Sequence, residues 1–253
     1  MSNNHSETPD ITVVITAHRE GIIAGATARS AREAIEHVQQ NLGKTVEILL
    51  VLDRADALTK STLTGSFGPD VHVLETDEGD PGQARNRGVE AAKGEYICFL
   101  DADDFWSYNW LTEAYRLVEQ RPDVVAHSHC NITFGREKNL WWHVDSEGAL
   151  FDPAYLEWGN YWDAMAFART EVYRRFRFRP NDLSLGFGHE DWHWNCQTIA
   201  AGFAHKPVPH TIHFKRRRDG SVSAKVKDKL GTVWPLEAEE RDLGQQRKAK
   251  SLL

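Results

Sequence analysis

Asp101-Ala102-Asp103-Asp104 sets three carboxylates within four residues, directly after the apolar run Tyr96-Ile97-Cys98-Phe99-Leu100. The one-residue gap lets at least two of them face one pocket. Hard divalent cations such as Mg2+ or Mn2+ take oxygen ligands and commonly join a few protein carboxylates to substrate phosphates. Asp103 and Asp101 are therefore the metal candidates. An equal reading of the run alone is that Asp103 or Asp104 caps a helix starting near Trp106, since aspartate is a favoured N-cap. Gly186-Phe187-Gly188-His189-Glu190-Asp191-Trp192 places two acids at a helix start, where the dipole favours the ionised form that a general base requires. The bland reading is a pair of favourable first-turn charges.

Cationic and polar groups surround these acids in sequence. Arg85 and Asn86, in Gly82-Gln83-Ala84-Arg85-Asn86-Arg87-Gly88, stand near a helix start that attracts anions, so Arg85 can help hold a nucleotide or its diphosphate, although taken alone it reads first as a solvated surface arginine. Thr16, His18 and Glu20 gather at one strand end, on the same sheet edge as Asp53, a carboxylate able to accept a nucleobase imide N–H. A lone strand-end Asp is also a common turn residue. His210-Thr211-Ile212-His213 leads into Lys215-Arg216-Arg217-Arg218, a run that can neutralise a departing diphosphate. His213 is the third metal candidate, although histidines at this spacing need bind no metal, and a basic run is usually a solvated face.

These residues need a scaffold, and the hydrophobic patterning supplies one. Ile11 to Thr16 is almost continuously apolar and β-branched, as in a strand buried on both faces of a parallel sheet. Ala24 to Leu42 reads as the helix that follows, with Ala28, Ala31, Ile35 and Val38 on one face and Gly43 past its end. Val46 to Leu52, Ala55 to Leu63, Val71 to Glu75, Gln83 to Lys93 and Tyr96 to Leu100 continue as strand, helix, strand, helix and strand. Ligands of open parallel sheets bind beyond the carboxyl ends of strands, which is where Asp101 falls. A helix is expected over Trp110 to Gln120, a strand over Val124 to Phe134, and an aromatic loop around Trp141 and Trp142. A later helix should bury Trp192, Cys196, Ile199, Ala200 and Phe203 on one face. The charged tail from Asp219 carries no motif and reads as a packed helix or an arm.

With 253 residues and 41% hydrophobic content, the chain has enough material for one large core. The expectation is a single α/β domain with a Rossmann-like, mostly parallel sheet flanked by helices and a smaller acceptor-side region. Within residues 1–253, 10–105 form one half, 106–218 the other, and 219–253 the tail. A formal net charge of −7 argues against a nucleic-acid partner. Cys98, Cys130 and Cys196 lie far apart in apolar stretches and read as buried thiols of a reducing compartment. No signal peptide is evident, and the longest apolar runs have strand length. The reading is a cytoplasmic protein with at most peripheral contact at the membrane's inner face.

In order, these segments resemble the family 2 glycosyltransferases of the GT-A fold, over roughly Ile11 to Ser223. Val13 to Glu20 looks like the family's opening strand and turn, Gly82 to Gly88 its arginine-asparagine segment, and Phe99 to Asp104 its metal-associated DxD element. Gly188 to Trp192 is similar to the late acidic motif, and Arg216 to Ser223 to the closing arginine-serine segment. The resemblance implies inverting transfer of sugar from a nucleoside-diphosphate sugar, with UDP the expected nucleotide, to a hydroxyl of a carbohydrate or lipid-linked acceptor. The setting it implies is the synthesis of bacterial surface glycans or glycoconjugates. It also implies a divalent cofactor, Mn2+ or Mg2+, with Asp191 as the base and Glu190 second. Thr16, His18, Glu20, Asp53, Arg85, Asp101, Arg216 and Arg218 would contact the donor. Two departures stand out: only Asp53 appears where many members carry paired aspartates, and Arg218 replaces a frequent histidine. Trp141, Trp142, Trp158 and Trp162 fall on the acceptor side, where aromatic rings stack on sugars or fill a core. A nucleotidyltransferase would need a better glycine-rich loop than Gly21 to Gly25, while a catalytically silent nucleotide-sugar binder would show no turnover.

Overall fold

A computed structural model of the chain describes residues 8–69, 71–219, 226 and 228–237. Strands β1 (Ile11–Ala17), β2 (Val46–Asp53), β3 (His72–Thr76) and β4 (Tyr96–Asp101) alternate with helices α1 (Ile23–Leu42), α2 (Ala57–Phe67) and α3 (Pro81–Ala91). There follow β5 (Phe105–Trp106), α4 (Trp110–Gln120), β6 (Val124–Gly135), β7 (Leu140–Trp142) and a 3₁₀ turn at Pro153–Glu157. The remainder is β8 (Phe167–Arg169), α5 (Thr170–Arg175), β9 (Phe187–Gly188), α6 (Glu190–Ala200), β10 (Ala204–Arg217) and β11 (Thr232–Val233).

The main sheet runs β3-β2-β1-β4-β8-β6-β10-β5, with β7 beside β6. β1 pairs in parallel with β2 and β4, β2 with β3, and β6 with β10, while β8 is antiparallel to both β4 and β6. Alternation sends Val13 and Ile15 into one core with Ala28, Ala31, Val38, Trp110 and Leu111, and Val14 into the other with Val89, Phe99, Tyr173 and Trp194. Both faces of β1 are therefore covered, which is why its sequence shows no polar alternation. Chain order reverses at β1, since β2 lies on one side and β4 on the other. Their carboxyl ends, at Ala17, Asp53 and Asp101, open a crevice at that switch point.

Several sequence expectations shift on the structure. α3 begins at Pro81, two residues early, because Asp80 caps it through Gln83 N–H at 2.9 Å and proline suits the first helical position. α2 begins at Ala57 behind an Asp56 cap and extends to Phe67. Asp103 and Asp104 cap no helix. Phe105-Trp106 instead forms β5, antiparallel to β10. Trp141 and Trp142 lie on β7, which pairs with the extended end of β6, rather than in a loop. α6 buries His193, Trp194, Asn195, Gln197 and Thr198, so its inward face is rotated from the apolar stripe through Trp192 and Cys196. Cys98 and Cys130 are buried, and Cys196 is partly exposed. Most of the 219–253 tail lies outside the described residues, but Thr232-Val233 is a strand.

The rotation of α6 follows from a buried histidine layer. His205 Nδ1 lies 2.9 Å from His127 Nε2, and its Nε2 lies 2.8 Å from Thr198 Oγ1 on α6. His143 meets the Ser128 carbonyl at 2.7 Å, and Trp162 packs on His205 with ring centres 4.4 Å apart. Burial depresses the imidazoles, His205 to about 3 and His143 to about 4. The folded chain thus holds them neutral, while the unfolded chain takes up protons once pH falls below about 6.5. Their stabilising contribution is complete above that pH and is lost downward, by about 1.4 kcal/mol per pH unit for each group. Denaturation midpoints between about pH 7.5 and 4.5 should therefore fall more steeply for the parent than for His205→Gln, by close to one proton. Identical slopes would refute this.

Candidate active site

The carboxyl ends of β1, β2 and β4 and the start of α6 surround a cleft of about 420 Å³. Thr16, His18, Glu20, Asp53, Arg85, Asp101, Asp103, Glu190, Asp191, Arg216 and Arg218 all line it. Residues as far apart as 16 and 218 meet there because β10 returns alongside β6 and ends beside the loop after β4.

The opening wall is held by its own hydrogen bonds. Thr16 Oγ1 donates to Asp101 Oδ1 at 2.8 Å, His18 Nδ1 lies 2.6 Å from the Asp53 carbonyl, and His18 N–H donates to Glu20 Oε2 at 2.6 Å. Asp53 closes the loop after β3. Its Oδ1 accepts from Glu78 N–H at 2.7 Å and Thr76 Oγ1 at 3.0 Å, and its Oδ2 from Gly79 N–H at 2.8 Å. The turn role and the cleft position coexist, and Oδ2 keeps an acceptor direction for a ligand.

Arg85 is the hub. Its side chain is 4% exposed, and its fork donates to Glu190 Oε1 at 2.9 Å and to Asp101 Oδ1 at 2.9 Å. Burial works against ionisation at Asp101, but the Arg85 guanidinium, Lys215 and the Thr16 hydroxyl together outweigh it and hold the carboxyl below its usual range. Arg85 therefore joins the metal-candidate turn to the acidic helix start instead of standing free for a diphosphate. Asn86 fastens the same helix to the chain beyond α5, donating to the Phe178 carbonyl at 2.8 Å and accepting from Phe178 N–H at 3.1 Å. Gly82 allows the approach, since a Cβ there would stand 2.9 Å from Glu190 Cγ.

The two acids of α6 differ in what surrounds them. Glu190 is engaged at both oxygens, by Arg85 and by Asn181 Nδ2 at 3.1 Å. Asp191 Oδ1 accepts from Trp192 N–H at 2.8 Å. Burial raises both carboxyls above their usual range, with Asp191 adding to the effect on Glu190 and Lys215 and Arg85 opposing it at Asp191. His189 precedes them at φ 60 and ψ 57, a left-handed conformation that costs a non-glycine residue about 1–3 kcal/mol.

Asp103 shows a deficit of positive charge. Burial, then Asp104 and Asp101, push its carboxyl up to about 7, although Arg218 Nε lies 3.2 Å away and Arg216 3.8 Å away. Arg218 also pairs with Glu20 at 3.2 Å. Asp104 is turned inward, where Arg216 N–H donates to it at 2.7 Å. His213 does not enter the cleft. It is 1% exposed, with Asp104 and Asp163 each 3.3 Å from its ring. Burial alone would lower its pKa, but the two carboxylates raise it to about 9, so the ring is held between Asp104 and Asp163. Among the described residues no three His, Cys, Asp or Glu side chains form a ready-made metal cage. A cation shared with substrate phosphates needs fewer, and the crowded carboxylates of Asp103 and Asp101 fit such an ion.

Three contributors escaped sequence reasoning. Asp80 lines the cleft while accepting from Asn181 N–H at 2.9 Å, and the Asp-Pro start of α3 was its legible signal. Lys215, read only within its basic run, reaches buried Asp163 at 3.0 Å and lines the cleft. Asp163 also accepts from Asn131 at 2.8 Å, a partnership no local pattern announces. Of the tryptophans, Trp162 is core, whereas Trp142 and Trp158 are exposed. The Ser221 to Ser223 end of the closing motif lies outside the described residues.

Residues 12–179 match the family model described as glycosyl transferase family 2. Succinoglycan biosynthesis protein ExoO of Rhizobium meliloti is 33% identical over 226 residues, covering 85% of this chain and 63% of that protein. Glycosyltransferase GlyG of Streptococcus pneumoniae is 31% identical over 125 residues, 48% of this chain and 41% of that protein. The chain thus spans less than two thirds of the length of either. Among solved structures, Staphylococcus aureus TarS in complex with UDP-GlcNAc aligns with a TM-score of 0.57 at 13% identity, covering 94% of this chain and 71% of that one. GalNAc-T7 with UDP, GalNAc and Mn2+ aligns at 0.59 and 17%, covering 86% and 45%. At such identities these structures speak to the fold alone.

Proposed function

Since the chain belongs to glycosyl transferase family 2, we propose that its cleft binds a nucleoside-diphosphate sugar and transfers the sugar, with inversion, to an acceptor hydroxyl. The single observation that carries this reading is the unequal engagement of the two acids: Arg85 and Asn181 occupy Glu190, while Asp191 faces the same cleft with no cationic clamp at hydrogen-bond distance among the described residues. Asp191 is accordingly the base. Its raised pKa suits it to take a proton near neutral pH as the acceptor oxygen attacks the anomeric carbon. Residues 10–105 form the donor half and 106–218 the half that carries acceptor and base. Thr16, His18, Glu20 and Asp53 face the nucleoside, with uracil as the expected base because the Asp53 carboxylate can accept its imide N–H. Arg216 and Arg218 face the diphosphate. Asp103, with Asp101, would hold a divalent cation, Mn2+ or Mg2+, that supplies positive charge to the departing diphosphate. The role of ExoO in succinoglycan biosynthesis favours a bacterial surface glycan, or its lipid-linked precursor, as acceptor. Among the described residues no helix is long and apolar enough to cross a membrane.

Nucleotide-sugar hydrolysis and transfer should appear with Mn2+ or Mg2+ and fall by about a hundredfold or more in excess chelator, the scale expected for one lost electrostatic partner of a leaving group. Calorimetry with UDP-sugars, with and without Mn2+, is the companion measurement. If no nucleotide sugar binds or turns over under any metal condition, the reading fails.

A further inference from the structure

The chain beyond the cleft comes back to the segment that precedes the base. β11 pairs in parallel with β9, aligning Thr232 with Phe187 and Val233 with Gly188. Thr232 N–H donates to the Gly186 carbonyl at 2.9 Å, and Gly231 N–H to that of Val226 at 2.8 Å. Trp234 then stacks on Phe187, with centroids 4.0 Å apart and planes at 17°, while its Nε1 donates to the Pro180 carbonyl at 2.9 Å. Arg179 lies over this indole at 5.7 Å and pairs with Glu237 at 2.9 Å. Val226, 1% exposed, lines the cleft and fills the space above Gly188, where an added Cβ would stand 2.7 Å from its Cγ2.

β9 is two residues long, and one strained residue, His189, separates it from Glu190. A two-residue strand has little pairing energy of its own, so what holds it must come from outside. We infer that Val226 and the segment 228–237 form a brace that sets the position of Asp191, with Trp234 as its principal positioning residue. Trp234 touches neither the cleft nor the acids. It acts by clamping Phe187, and through Gly188 and His189 the first turn of α6. The consequence for activity rests on the reading of Asp191 as base, whereas the mechanical coupling does not.

Two measurements on the full-length chain separate these. Hydrogen exchange should be faster in Trp234→Ala than in the parent at residues 186–193, with β1 to β4 unchanged. In transfer assays the same variant should lose about tenfold to a hundredfold in kcat, the scale of a small misplacement of a reacting group. Its donor Kd should remain within twofold of the parent's, and Trp234→Phe, which keeps the ring stack, should recover most of kcat. Unchanged exchange at 186–193 overturns the brace even if the parent transfers no sugar. Faster exchange with unchanged kcat overturns the positioning role. A kcat loss matched by donor affinity and by exchange throughout the sheet, without rescue by phenylalanine, reduces Trp234 to general stability and also overturns it.

Discussion

Asp191→Asn should lower kcat by about 10²–10⁴-fold while donor affinity changes little. The substitution keeps the size of the side chain and its bond from Trp192 N–H, and removes only the ability to accept the acceptor's proton. Glu190→Gln removes a different thing. Glu190 balances Arg85, so its neutral version leaves the guanidinium with Asp101 alone and should show first as a lower Tm. Donor titrations at saturating acceptor, together with melting curves for both variants, decide the assignment. Unchanged turnover in Asp191→Asn removes it from the base role, and a greater loss in Glu190→Gln at intact Tm transfers that role to Glu190.

Arg85→Met should destabilise the fold by about 3–5 kcal/mol, the usual result of taking one partner from a buried ion pair. Few native domains exceed about 5–15 kcal/mol in total, so this is a large share. The loss comes from the carboxylates left behind: Glu190, with 11% side-chain exposure, and Asp101, with 28%, would stand without their shared cation. Combining Arg85→Met with Glu190→Gln should recover part of the stability, since the pair is coupled. Urea denaturation of the four proteins reads that coupling directly. Additive losses would show that the ion pairs carry little of the energy.

The scaffold was more legible than the site, for physical reasons. β1, β2 and β4 are covered on both faces, so unbroken apolar runs end at Asp53 and Asp101 and announce which residues reach the crevice. α6 misled because its inward face carries His193, Asn195 and Thr198, polar side chains that an apolar periodicity discards. β7 was missed because all three of its residues are apolar, so the exposed Leu140 and Trp142 leave no apolar-polar alternation in the sequence. Within the site, residue types and order indicated which side chains would meet, but not their partners. Nothing local to Arg85 reveals that a carboxylate 105 positions later will claim one arm of its fork. The burial of His213 away from the cleft was hidden for the same reason, since its neighbour Asp163 comes from a segment with no recognisable pattern.

The short pairing of β5 with β10 also bears on how the chain assembles. It aligns Trp106 with His213 and Phe105 with Phe214, so the acidic turn and the basic run are closed like a clasp across more than a hundred positions of chain. β1 to β4 are contiguous in sequence and can form their sheet early, but Asp103 and Asp104 then crowd one another without Arg216 or Arg218 nearby. Closing so long a loop is entropically costly and slow compared with local contacts. During synthesis residues 10–105 would therefore emerge first as a sheet with repelling carboxylates at its rim, and the balancing cations would arrive only when β10 docks. A nascent chain halted before residue 204 should fold its first four strands and still have no working centre.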